Sequence, residues 1–86
     1  MPQELSEKEV FEKVVNIVKR FAKDQEALAQ VNNDTKILAD LKVNSARLVD
    51  VILDLETQFD LEVGDDEADR VRTVGDVVHM ILAKKG

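Results

Sequence analysis

The sequence predicts an all-α protein: a small antiparallel four-helix bundle with three longer helices, one short helix and a long first loop. Three observations predict it. Apolar residues recur at helical spacing in three separate stretches, no stretch alternates as a strand would, and each helical stretch opens on a capping residue. With 86 residues, 44% of them apolar, the chain suits one domain, residues 1–86, with a single modest core. Three Phe and no Trp or Tyr are present, so that core should be almost wholly aliphatic.

The first helix is expected from about Glu7 to Asp24. Ser6 with Glu9 makes a capping box, and Phe11, Val14, Val15, Val18, Phe21 and Ala22 share one face. From Gln25 to Asp40 the periodicity weakens. Asn32-Asn33-Asp34-Thr35 competes with helix by bonding its own backbone, which predicts a long ordered loop pinned to the core by Ile37, Leu38 and Leu41. Asn44 is a good N-cap and places Ser45 in the first turn of a helix that runs to Phe59. Along it, Leu48, Val51, Ile52, Leu55 and Phe59 hold helical spacing and should face the core. Ala46, Val49 and Leu53 form a second apolar row that one buried face does not need. Flanked by Asp50, Asp54 and Glu56, that row reads as a docking surface for other proteins. Gly64-Asp65-Asp66 marks a turn into a short helix, Glu67 to Val71. Thr73 and Asp76 then cap a last helix with Val74, Val77, Val78, Ile81 and Leu82 as its buried stripe, and Lys84 and Lys85 meet its negative end.

The net charge of −6 is unevenly spread. Nine of the 18 acids lie between Leu48 and Asp69, where there is no Lys or Arg, so the rest of the chain carries nine acids against 12 bases. A local negative field repels phosphate backbones and attracts basic protein patches, so nucleic acid is not an expected partner. The absence of Cys excludes disulfides, thiolate metal sites and a cysteine nucleophile. The polar start MPQELSEKEV is no secretory signal, and no apolar run approaches the roughly 20 residues of a membrane span, so the chain is expected in the cytoplasm, without stable membrane insertion; a monomer is the expected state.

Little in the chain points to catalysis. His79 is the one histidine, and it would have to reach Ser45 from the last helix to form a triad. Asp60, Glu62 and Asp65 near Gly64 fail as a calcium loop, because Gly64 falls one place early and Val71 stands where the bidentate Glu belongs. Neither a catalytic residue nor a metal ligand is assigned. At Ser45 itself, the unpaired N–H groups and the positive end of the helix dipole favour an anion by about 0.3–1 kcal/mol when exposed. On the dipeptide alone, however, Asn44 and Ser45 read as plain capping residues.

The wider pattern outweighs that reading. Asp40-Leu41, Ser45 opening a helix, Glu56 with Phe59, an acidic loop and Arg72-Thr73-Val74-Gly75-Asp76 follow one another in an order that resembles the acyl carrier protein family over essentially the whole chain. The resemblance implies a non-catalytic carrier with a phosphopantetheine arm attached covalently to Ser45, loaded by a phosphopantetheinyl transferase. It also implies partners in fatty-acid, polyketide or specialised lipid biosynthesis: acyl-transferring, condensing or acyl-activating enzymes with basic patches. Ala46, Arg47, Val49, Asp50, Leu53, Asp54 and Glu56 are the expected docking residues, and Ile52, Leu53, Phe59, Val77 and Ile81 are expected to part for an acyl tail. The chain departs from the usual family pattern at Lys42, often Gly, and at Asn44, Ala46 and Arg47 around the serine. These departures suggest a specialised carrier, with aminoacyl cargo also open. The competing reading is an unmodified acidic helical interaction module of the same shape.

Overall fold

A computed structural model describes residues 6–85. In chain order they form α1 (Glu7–Val18), α2 (Gln25–Ala29), a 3-10 turn (Ser45–Arg47), α3 (Leu48–Phe59), α4 (Asp65–Arg70) and α5 (Val74–Lys85). The all-helical bundle is as expected, and its three long helices have 12 residues each. α1 packs against both α5 and α3. Val10, Val14 and Ile17 of α1 meet Val51 and Leu55 of α3 and Val74, Val77, Val78 and Ile81 of α5 in one aliphatic core. Leu82, expected in the α5 stripe, is half-buried at its edge.

Local chemistry sets most of the starts. The Ser6 hydroxyl accepts from the Glu9 N–H at 3.1 Å. Thr73 accepts from the Asp76 N–H at 3.0 Å, while Asp76 accepts from the N–H groups of Thr73 and Arg72, each at 3.1 Å. The Thr73 N–H, foremost among these donors, holds the Asp76 carboxyl below its ordinary range.

Four expectations need correction. α1 stops at Val18 rather than Asp24 because the chain finds a tertiary acceptor: the N–H groups of Lys23 and Asp24 both turn to the carbonyl of Leu41, at 3.0 and 3.2 Å. The segment from Gln25 is not all loop. Asp24 caps the Ala27 N–H at 3.0 Å and starts the short helix α2, whose Ala27 and Leu28 lean on the core. Ile37 and Leu41 do pin the following loop, but Leu38 is 41% exposed. Finally, α4 begins at Asp65, two residues before the expected Glu67, because Gly64 acts as N-cap and Glu67 reaches back to its N–H at 3.0 Å. Val71 lies beyond the end of α4, buried in extended backbone.

The loop between α2 and the 3-10 turn is ordered by its own side chains and by α5. Thr35 accepts from the Asn32 N–H at 2.9 Å, and Asn32 accepts from the Asp34 N–H at 2.8 Å. The N–H groups of Val74 and Gly75 donate to the carbonyls of Thr35 and Asn33, and that of Ile37 donates to Arg72. Val43 in turn donates to Ile37 at 3.3 Å. This run of bonds carries position from the start of α5 to the residue before Asn44.

Candidate functional site

Ser45 opens the 3-10 turn that leads without a break into α3, and its side chain is exposed. Two features place it there. Leu41 and Val43 are buried and anchor the lead-in, and Lys42 between them takes a left-handed conformation, φ 58°. That conformation is easiest for Gly, so Lys42 holds it at some cost in backbone strain. Asn44 then caps the turn as expected, its side chain accepting from the Ala46 N–H at 2.8 Å.

The tip is less open to an anion than its capping pattern implies. Ala46 N–H is taken by the Asn44 side chain, Arg47 N–H by the Asn44 carbonyl at 2.8 Å, and Leu48 N–H by the Ser45 carbonyl. Among the described residues, only the Ser45 N–H at this tip has no partner. The helix dipole remains, but the row of unpaired donors does not.

Along α3 the two apolar rows separate as the periodicity requires. Val51, Ile52, Leu55 and Phe59 are buried, with Leu48 half-buried beside them. Val49 and Leu53 stand 62% and 53% exposed, and Ala46 is exposed in line with them. Ile52, Phe59, Val77 and Ile81 lie together in the closed core, whereas Leu53 is on the outer face and cannot line a cavity with them.

The acids along this helix are engaged within the chain, which their positions alone do not reveal. Asp50 pairs with Arg47 at 3.0 Å and Asp54 with Arg20 of the turn after α1 at 3.1 Å. The second contact lacks hydrogen-bond alignment, so this buried Asp54 oxygen has an ionic neighbour and no donor. Glu56 is turned inward, accepting from the Val63 N–H at 2.7 Å. That bond holds the turn after α3. Asp60 ends α3 in a left-handed conformation. His79 stands 3.9 Å from Glu7 on an exposed side of α5 and is not part of the Ser45 site.

Sequence reasoning also missed a groove beside the serine. Arg20, Phe21 and Lys23, in the segment that follows α1, face Asn44 and Arg47, which flank Ser45 in the chain, across a space of about 490 Å³. The only hint in the sequence is the excess of Lys and Arg outside residues 48–69. Among the described residues no helix is long and apolar enough to cross a membrane.

Comparison with known proteins fits this arrangement. Residues 12–81 match the family model described as the phosphopantetheine attachment site. The chain is 36% identical over 83 residues to an acyl carrier protein of Lactobacillus acidophilus, covering 95% of this chain and 100% of that one. It is likewise 36% identical over 82 residues to an acyl carrier protein of Thermotoga maritima, covering 94% and 98%. A solved structure of the acyl carrier protein from Enterococcus faecalis superposes with a TM-score of 0.78 at 28% identity, over 94% of this chain and 100% of that chain. With a serine exposed at the head of a helix, an unburied apolar row beside it and these relatives over nearly its whole length, the chain belongs to the acyl carrier protein family.

Proposed function

We propose that Ser45 is the residue that takes the phosphopantetheine arm, and that residues 1–86 act as one carrier domain that presents acyl groups to partner enzymes without catalysing their reactions. The observation that carries this reading is the placement of one exposed hydroxyl at the head of α3, directly beside the exposed row of Ala46, Val49 and Leu53. The residues present fit a phosphate-linked group, since Ser45 is exposed to a transferase and the groove that holds Arg20, Lys23 and Arg47 is also lined by its chain neighbour Asn44. When bound, the arm supplies the thiol that this cysteine-free chain lacks, and holds the acyl group as a thioester.

The chain's own residues orient the exchange. Val49 and Leu53 give partners an apolar landing next to the load, Asp50 steers basic patches toward it to the extent that its exposed ion pair exchanges, and the half-buried Asp54 adds its charge to the same helix. Transferases, condensing enzymes and acyl-activating enzymes are the partner classes this surface suits. Co-expression with a broad-range phosphopantetheinyl transferase should add the mass of one arm to the intact protein, and Ser45→Ala should remove that gain entirely. A wild-type protein that stays unmodified, or a Ser45→Ala protein that still gains the mass, would sink the assignment.

For long acyl cargo, the side chains of Ile52, Phe59, Val77 and Ile81 would have to part to admit a tail. Each CH₂ buried among them returns about 0.8 kcal/mol against lost packing. Melting temperature should therefore change progressively with acyl length. Identical melting for every acyl form would place the tail outside the core.

A further inference from the structure

A phosphodiester at Ser45 brings a negative charge to a helix tip whose amides, apart from that of Ser45 itself, are already occupied. Asn44 holds the N–H groups of both Ala46 and Arg47, so the charge needs its counterpart from side chains. The groove lined by Arg20, Phe21, Lys23, Asn44 and Arg47 supplies them. Its two far cations are delivered by the same tertiary bonds that end α1 early: the backbone of Lys23 is tied to the Leu41 carbonyl at 3.0 Å, and the Arg20 side chain reaches α3.

We propose that this groove seats the anionic linkage on Ser45, with Arg47, Arg20 and Lys23 as the residues that hold it. The inference rests on the reading of Ser45 as the attachment residue. Three observations support it. Lys23 enters no ion pair among the described residues. Arg47 is paired with Asp50 through side chains 65% and 44% exposed, and such a pair is weak enough to exchange for a better anion, while Arg20, itself 59% exposed, adds its charge from its place beside Asp54. Arg20 also lies over the Phe21 ring, 5.6 Å from its centroid, which limits where its guanidinium can point. A tethered phosphodiester is held at high effective concentration beside these groups, and the guanidinium fork suits phosphate oxygens.

One consequence reaches the docking face. When Arg47 turns to the linkage it releases the part-exposed Asp50, while the buried Asp54 oxygen keeps Arg20 as its ionic neighbour. The loaded protein therefore shows partners a more negative α3 flank than the unloaded one, and the two forms become distinguishable by charge.

The test loads wild type and an Arg20→Gln/Lys23→Gln variant with phosphopantetheine from coenzyme A, verifies each by intact mass, and records the ³¹P resonance and the melting temperature before and after loading. In wild type the ³¹P resonance should be displaced from that of phosphopantetheine free in solution, and loading should raise the melting temperature. Both effects should be lost in the variant. Lys23→Gln alone, which breaks no ion pair, should lose part of each and serves if the double variant folds or loads poorly. Unchanged resonance and unchanged melting increment in both variants would overturn the proposal while leaving the attachment site intact. The same result with slower modification by the transferase would assign the groove to an acidic surface of that partner instead. Absence of any mass gain in wild type would overturn the attachment reading and this inference with it.

Discussion

Replacing Leu55 with alanine is expected to lower the unfolding free energy by about 2–5 kcal/mol, the range for truncating a fully buried leucine. Leu55 is completely enclosed in the core on the side of α3 that packs on α1, so no solvent can refill the space it leaves. In a domain of this size each kcal/mol moves the melting temperature by about 4–8 °C, so a fall of 10 °C or more should be plain by circular dichroism. The urea midpoint should drop with little change in slope, since the surface exposed on unfolding hardly changes. Leu53→Ala, two residues earlier, is the contrast. Its side chain is 53% exposed, and stability should stay within about 0.5 kcal/mol of wild type. Its loss should appear instead as slower transfer to partner enzymes at a given carrier concentration. If Leu53→Ala melted as early as Leu55→Ala, or left every partner rate unchanged, the division of α3 into a core row and a docking row would be wrong.

The second large effect is expected at Gly75. A Cβ built there lies 2.8 Å from the Asn33 carbonyl oxygen and 3.0 Å from the Asn33 Cβ, and the Gly75 N–H donates to that same carbonyl at 2.9 Å. The obstacle is backbone, which cannot swing aside as a long side chain could. Gly75→Ala should therefore cost about 1–3 kcal/mol, the usual range for overpacking a closed contact. Serine should cost at least as much. The consequence should extend beyond stability, because Asn33 belongs to the loop whose hydrogen bonds run through Thr35 and Ile37 to Val43, just before Asn44. At a temperature where the variant is still folded, amide exchange between residues 32 and 43 should accelerate and modification of Ser45 should slow. A Gly75→Ala protein with wild-type melting and wild-type exchange in that loop would show that the first turn of α5 can retreat without cost.

Both predictions concern how the serine is held. The core row of α3 fixes the helix axis, the loop fixes the lead-in, and Asn44 fixes the turn between them. Ser45 is exposed and its side chain enters no hydrogen bond among the described residues, which suits a side chain that must be reached by other proteins.

The starts of α1 and α5, the cap at Asn44, the two rows of α3 and the exposed serine could all be read without coordinates. Each depends on residues within about four positions of one another, the range over which capping bonds and helical periodicity act. What the chain needed its tertiary structure to decide lies at longer separation. The end of α1 was set by a carbonyl at Leu41, and the choice of Ile37 and Leu41 over Leu38 by which side of an irregular loop met the core. Asp54 was claimed by Arg20, and Glu56 by a turn amide beyond the end of its own helix. The groove beside Ser45 belongs to the same group, since Arg20 and Lys23 reach Asn44 and Arg47 only once α1 has ended and folded back. An amino-acid pattern records what a residue prefers among its near neighbours. Which distant partner satisfies an exposed charge or an unpaired amide is settled by the closure of the core.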